Sequence, residues 1–190
     1  MSQEYNEGKN YHGEDFSIKD RSTREYENCT FSECNFSNAD LSDQIFVDCS
    51  FENCDFTLAK ISNTAFRIVE FKSCKLLGLH FEDCNQFLLA MKFENCTLNL
   101  SSFYKLPLKK TLFNDCNLHE ADFTDTDLTG SIISNCDLAN TFFENTNLYK
   151  VDFRTSFNFS INPESNNIQK AKFSLTEIAG LLDKYNIEIE

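Results

Sequence analysis

Large apolar residues recur in this chain at every fifth position. From Phe31 the beat runs through Phe36, Leu41, Phe46, Phe51, Phe56, Ile61, Phe66, Phe71 and Leu76 to Phe81 without a miss. It resumes at Phe93 and runs unbroken through Leu98, Phe103, Leu108, Phe113, Leu118, Phe123, Leu128, Ile133, Leu138, Phe143 and Leu148 to Phe153. A strand repeats every two residues and a helix every 3.6, so neither fits. A chain that turns a corner every five residues does. Two positions before the large residue sits a small one, as at Cys29, Cys34, Ala39, Cys49, Cys54, Ser101, Ala121 and Thr126. The other three positions are mostly Asn, Asp, Glu, Lys, Ser or Thr. One large and one small residue therefore point inward, and three face water. Four such sides close a square coil of 20 residues, and stacked coils bury one continuous column.

The cysteines check the coil length independently. Cys34, Cys54, Cys74, Cys96, Cys116 and Cys136 are spaced by 20, 20, 22, 20 and 20 residues. The single 22 coincides with the slip between Phe81 and Phe93. Both clocks require one two-residue insertion in an otherwise unbroken column. About seven coils at the ~4.8 Å strand spacing give a rod about 35 Å long. The expected fold is all-β: a right-handed quadrilateral parallel β-helix over 1–158, with an N-terminal cap. A C-terminal element follows over 159–190.

Four places depart from the beat. Near the N-terminus Phe16 and Tyr26 fit the register and Arg21 does not, as in a cap over an open end. Gln44 puts an amide in the small inward position, where it needs hydrogen-bond partners. The slip, CNQFLLAM, carries Phe87 and Leu88, which either tuck into the rod or project as a contact bump. In the tail, Ser174-Leu175-Thr176-Glu177 has the form of a capping box. It predicts a helix over about 175–185 whose stripe is Leu175, Ile178, Leu181, Leu182 and Tyr185. Ile187 and Ile189 then alternate with acids as in a short strand. This tail is expected to cap the last coil and to form a homodimer interface through Leu175, Ile178, Leu181, Leu182, Tyr185 and Ile187.

Composition adds 20 Phe and no Trp, so the column is a phenylalanine ladder. Burying each ring contributes roughly 1.5–3 kcal/mol. All nine cysteines take the small inward position. Their C-x4-C spacings do not make a zinc site, because a ladder spreads its thiols along an axis instead of converging them. An odd count in an intracellular setting also argues against a disulfide framework. His12, His80 and His119 fall in no ligand or triad spacing, and five glycines form no phosphate loop. We expect no catalytic residues, no cofactor and no metal. Met1 to Asn10 is polar without an apolar signal core, and no stretch approaches a membrane span. The expected setting is the cytoplasm, with no membrane partner.

Charge is uneven. Of the net −13, residues 113–153 hold eight acids and one base, whereas residues 69–112 are slightly basic. Asp115, Glu120, Asp122, Asp125, Asp127, Asp137 and Glu144 all take outward positions. A rigid acidic rod repels nucleic acid and attracts basic protein surfaces.

Segments such as CNFSNADL, CDFTLAKI, CNLHEADF and CDLANTFF resemble the A(D/N)LXX units of pentapeptide-repeat proteins. ENCTFSECNFSNADLSDQIFVDCSF is similar to the first coils of the Qnr quinolone-resistance proteins. FNFSINPESNNIQKAKFSLTEIAGLLDKYNIEI is similar to the C-terminal region of the microcin immunity proteins that protect gyrase. The resemblance implies a non-enzymatic rod that dimerises through its C-terminus. It also implies a DNA mimic that occupies the DNA-binding saddle of DNA gyrase or topoisomerase IV. The seven outward acids would supply the field. Unlike Qnr, the chain has no two long projecting loops, only the slip near Phe87. The alternative is a general protein–protein scaffold with another partner.

Overall fold

The computed structural model describes residues 4–18 and 23–188. The expected β-helix is what forms. One four-stranded parallel sheet contains β1 (Glu4–Glu7), β3 (Thr23–Glu27), β5 (Ile45–Val47) and β7 (Ala65–Arg67). This is side I of the square. Side II is a seven-stranded parallel sheet of β2 (Asn10–His12), β4 (Thr30–Ser32), β6 (Ser50–Glu52), β8 (Val69–Lys72), β9 (Met91–Glu94), β10 (Leu112–Asn114) and β11 (Ile132–Ser134). Sides III and IV are held by single bridges, such as Asn35 to Asp55 on side III and His80 to Ser102 to Asp122 on side IV. In register, Phe31 lies over Phe51, Phe51 over Phe71, and Phe71 over Phe93. Bridges from Ile132 to Asp152 and from Asp152 to Lys172 carry side II into the tail.

The corners explain the residue choice. Two residues after nearly every large one the backbone enters the left-handed region, with φ of 55° at Asn38, 63° at Asp43 and 54° at Asn53; Asp83, in a 3₁₀ turn, and Thr155 are exceptions. Asn, Asp and Gly accept that conformation at the least cost. One residue before the large one, Asp or Asn accepts the N–H two positions on. Asn35 takes that of Ser37 at 3.0 Å, and Asp122 that of Thr124 at 2.8 Å. These Asx turns preset the corners where Asn or Asp stands, whereas those at Thr30, Ser50, Glu70 and Lys92 lie in the strands of side II and have none.

The small inward residues have a second duty. Thr126 Oγ1 donates to the Phe103 carbonyl at 2.7 Å, and Ser131 Oγ to that of Leu108 at 2.8 Å, each one coil back. Cys54 Sγ makes the weaker equivalent bond to the Phe31 carbonyl at 3.4 Å. A small side chain with one donor satisfies a carbonyl that the narrow lumen leaves facing inward. Around it the rings stack along the axis, Phe31 on Phe51 at 4.7 Å and Phe93 on Phe113 at 5.0 Å. Between neighbouring sides they meet edge to face, as Phe103 does with Phe113 at 5.7 Å. Both geometries suit the ring quadrupole. All nine cysteines are buried free thiols. Burial pushes the Cys49 thiol up to about 12.

The slip lies on side I. The sheet there ends at β7, and the side continues beyond the insertion as bridges from Pro107 to Asp127, Asn147 and Asn167. Phe87 and Leu88 project instead of tucking into the rod. Leu89 packs on the core, whereas Phe87 and Leu88 stand in solvent with the Arg67 guanidinium 5.5 Å from the Phe87 ring centre. Gln44 is buried at its inward position.

The tail differs from expectation. Instead of an α-helix over 175–185 there are two short 3₁₀ turns, Ile178–Leu181 and Asp183–Tyr185. One half of the capping box forms, the Glu177 N–H donating to Ser174 Oγ at 3.3 Å, but the first 3₁₀ turn begins only at Ile178, with Glu177 at its N-cap and no side-chain cap bond. Gly180 lets the turn approach the Phe159 backbone closely, since a Cβ there would lie 2.0 Å from the Phe159 carbonyl oxygen. Tertiary packing holds it there: the Ile161 N–H donates to the Gly180 carbonyl at 2.9 Å. Leu181 packs inward against the core, so the expected stripe does not form. Asn186 closes the second turn in the left-handed region, and Ile187 lies in coil rather than in a strand. Arg21 and Ile189 lie outside the described residues. No helix among the described residues is long and apolar enough to cross a membrane.

Candidate acidic interaction face

The 20-residue period sorts charge by side of the square instead of by segment. Residues one coil apart share a column, so Asp40 bridges Lys60, and Ser102 bridges Asp122, which bridges Phe142. Corner bonds order the next column: Asp43 N–H reaches Ser62, Asn63 reaches Asp83, Lys105 reaches Thr124, and Asp125 reaches Glu144. Among the described residues, side IV therefore carries Asp40, Asp43, Glu82, Asp83, Asp122, Asp125, Glu144 and Glu164 against Lys60 and Lys105. Side I is balanced by contrast, because Arg67, Lys109, Lys110, Lys150 and Lys170 all lie there.

The seven acids expected to act together separate on this frame. Asp122, Asp125 and Glu144 share side IV, and Glu120 stands at its corner with side III. Asp115 is exposed on side II, across the rod. Asp127 is on side I, 3.2 Å from Lys109 Nζ. Asp137 is on side III, with Oδ2 2.7 Å from His119 Nε2. A 40-residue segment wraps the whole perimeter twice, so no run of sequence maps to one face.

The acids also divide by duty. Asp122, Asp127 and Asp137 are half-buried and build Asx turns. Partial burial pushes Asp127 up, but bonds from Thr129 and Lys109 outweigh it and leave the carboxyl below its ordinary value. At Asp137 the burial effect is likewise overcome, by His119 and Asn158. Asp115, Glu120, Asp125 and Glu144 are exposed and project from the surface. Sequence reasoning missed Asp40, Asp43, Glu82, Asp83 and Glu164 as members of the face. Their signal was residue number in steps of twenty, corrected by two after the slip.

Side IV ends at the tail. Lys184 Nζ meets Glu164 Oε2 at 2.5 Å, and the Tyr185 hydroxyl donates to Glu164 Oε1 at 3.1 Å. Between tail and coil opens a pocket of about 750 Å³ lined by Glu120, Phe142, Phe143, Glu144, Ile161, Gly180, Asp183 and Lys184 among others. Of the residues expected at a dimer interface, Leu175, Ile178, Tyr185 and Ile187 are exposed in the single chain. Leu181 and Leu182 are partly covered by their own chain. Among the described residues no three His, Cys, Asp or Glu side chains converge to hold a metal ion.

A trypsin-treated variant of QnrB1, a plasmid-mediated fluoroquinolone resistance protein, superposes with a TM-score of 0.65 at 20% identity, covering 98% of this chain and 100% of that one. A second trypsin-treated variant gives 0.64 at 19% identity, covering 95% and 98%. Full-length QnrB1 gives 0.57 at 20% identity, covering 97% and 100%. At these identities the likeness establishes the fold alone. No curated protein matches the chain. The family profile described as a pentapeptide repeat region matches residues 24–103, 45–123 and 79–153, and the chain belongs to the pentapeptide-repeat family.

Proposed function

We propose that the protein is a non-enzymatic rod that mimics DNA and binds the basic DNA-binding surface of a type II topoisomerase, gyrase or topoisomerase IV. Through that contact it protects the enzyme from a toxin or a quinolone. The observation that carries this reading is the sorting of eight carboxylates onto side IV. Eight carboxylates over about seven coils, each rising about 4.8 Å, average about one acid per coil, interrupted by Lys60 and Lys105, a linear density approaching that of the phosphates along one strand of a duplex. The likeness to QnrB1, a fluoroquinolone resistance protein, is one of fold and is the reason a quinolone enters the test. Asp122, Asp125, Glu144 and Glu120 make the direct contact, and Asp115, Asp127 and Asp137 add to the general field. Exposed Leu175, Ile178, Tyr185 and Ile187 favour a homodimer through the C-terminal end, with half-buried Leu182 at its edge, whereas Leu181 is taken up by its own core. Such a dimer doubles the length of the acidic column. Phe87 and Leu88 add an apolar contact beside it.

The test is a gyrase supercoiling assay with and without a quinolone, using wild type and an Asp43→Lys/Asp83→Lys/Asp125→Lys triple variant. These corner side chains are exposed, and lysine already occupies the equivalent corner position at Lys105, Lys110 and Lys150, so the variant should fold, which its melting curve checks. Wild type should inhibit or protect at micromolar concentration, and the variant should lose at least about tenfold, with a steep salt dependence. Absence of inhibition, protection and binding by wild type sinks the topoisomerase reading. Recovery of one other basic protein would favour a general scaffold. Exposed Leu58 and Leu100 at the corner of sides III and IV suit that second reading.

A further inference from the structure

The pocket where side IV meets the tail has a composition that the rest of the face lacks. Its column on side IV is polar at His80, Ser102 and Asp122, then switches to Phe142. Phe142 is 58% exposed, although the repeat puts polar residues at most outward positions. Beneath it Phe143 and Ile161 form an apolar floor, both nearly inaccessible. Three carboxylates, Glu120, Glu144 and Asp183, stand around the rim. The ammonium lining the pocket, that of Lys184, is held by Glu164. The pocket thus combines an aromatic face, a greasy floor and a negative rim.

We infer that this pocket is the anchor site for an arginine side chain presented by the protein partner. The guanidinium matches each feature. Its plane stacks on an aromatic ring, and its fork of donors reaches carboxylates on two sides. Its methylene stem covers the apolar floor. An apolar residue would leave the rim carboxylates facing its surface, and an anionic one would be repelled. A pocketed arginine within a diffuse electrostatic contact is the arrangement that concentrates affinity and sets register. The inference rests on the reading of side IV as a protein-binding face, but it does not need that partner to be a topoisomerase.

The experiment uses the full-length chain, labelled with ¹⁵N, and titrates it with N-acetyl-arginine methylamide and, separately, N-acetyl-norleucine methylamide. The arginine amide should shift the Thr124, Thr141, Phe142 and Glu144 amides saturably at millimolar concentration. The norleucine amide should not. Phe142→Ala and Glu120→Gln should each weaken the response at least about threefold, with unchanged melting temperature. Shifts spread evenly along side IV, or an equal response to norleucine, overturn the inference. So do concentration-dependent shifts at these amides without any probe, which would give the pocket to a second copy of the chain. In the supercoiling assay Phe142→Ala separates the two ideas. Wild-type potency in that variant defeats the anchor while leaving the topoisomerase reading intact. A specific arginine response without any gyrase effect does the reverse.

Discussion

Replacing Gly180 by alanine sets two physical expectations against each other. In an isolated helical turn, alanine is better than glycine by about 1 kcal/mol. In this tail a Cβ at position 180 would lie 2.0 Å from the Phe159 carbonyl oxygen, and 2.9 and 3.0 Å from two atoms of its ring. The nearest clash is with backbone, so no rotamer change relieves it. The turn must lift away. Lifting breaks the bond from the Ile161 N–H to the Gly180 carbonyl, worth roughly 1 kcal/mol. It also partly uncovers Phe159 and Ile161, now 3% and 1% exposed. Half of the ~1.5–3 kcal/mol that each side chain contributes gives a loss of about 1.5–3 kcal/mol more. The tail should therefore lose about 2.5–4 kcal/mol of docking energy, with the sign opposite to helix propensity. Limited proteolysis reads this directly, because a terminal unit opens independently of the rod. Gly180→Ala should be cut after the 160s many times faster than wild type and should melt earlier. Equal proteolysis with an equal or higher melting temperature would refute the close-approach argument.

Four further outcomes follow from the structure. Phe103 is fully buried and stacks at 4.8 Å on both Phe81 and Phe123, so Phe103→Ala should cost about 3–5 kcal/mol in urea unfolding and Phe103→Leu under about 1.5; a loss below about 1 kcal/mol for alanine would contradict the ladder. The buried thiols should resist a water-soluble disulfide reagent in the native state and all react in denaturant, and rapid native labelling of several cysteines would count against the column. The Arg154 guanidinium holds Asp152 at about 2, so its folded pKa is depressed and its stabilising effect is present above the unfolded value near 4 and lost as pH falls towards 2. Asp152→Asn should accordingly flatten the acid limb of the melting temperature against pH, and an unchanged limb would remove Asp152 from that role. Ile68 is a β-branched residue at φ 58° in an exposed corner, so Ile68→Asn should raise stability by about 1 kcal/mol, measured as a higher urea midpoint, and a lower midpoint would show that its side chain packs.

The five-residue beat made the architecture legible before any coordinates. Phe31, Phe51, Phe71 and Phe93 had to share one column, because only a 20-residue coil places an unbroken five-residue repeat entirely inside. The spacing from Cys74 to Cys96 located the insertion for the same reason. Asp122, Asp127 and Asp137 were legible as outward residues. Their use in Asx turns was legible only once the corner geometry was known.

The sequence by itself determined which side chains point inward and which outward, since that assignment depends on local period alone. Only the tertiary structure decided which outward residues are neighbours. Asp43, Asp83 and Asp125 lie far apart in the chain and share one corner, because stacking brings every twentieth residue together. Asp125 and Asp127 are two positions apart and face different sides, because a corner lies between them. The tail was decided the same way. Its pattern from Leu175 to Tyr185 suits an α-helix, but a short segment draws little stability from propensity. Contact of Gly180 with Phe159 and the pairing of Lys184 and Tyr185 with Glu164 hold it as two 3₁₀ turns. Those contacts also create the pocket, which no local pattern could have announced.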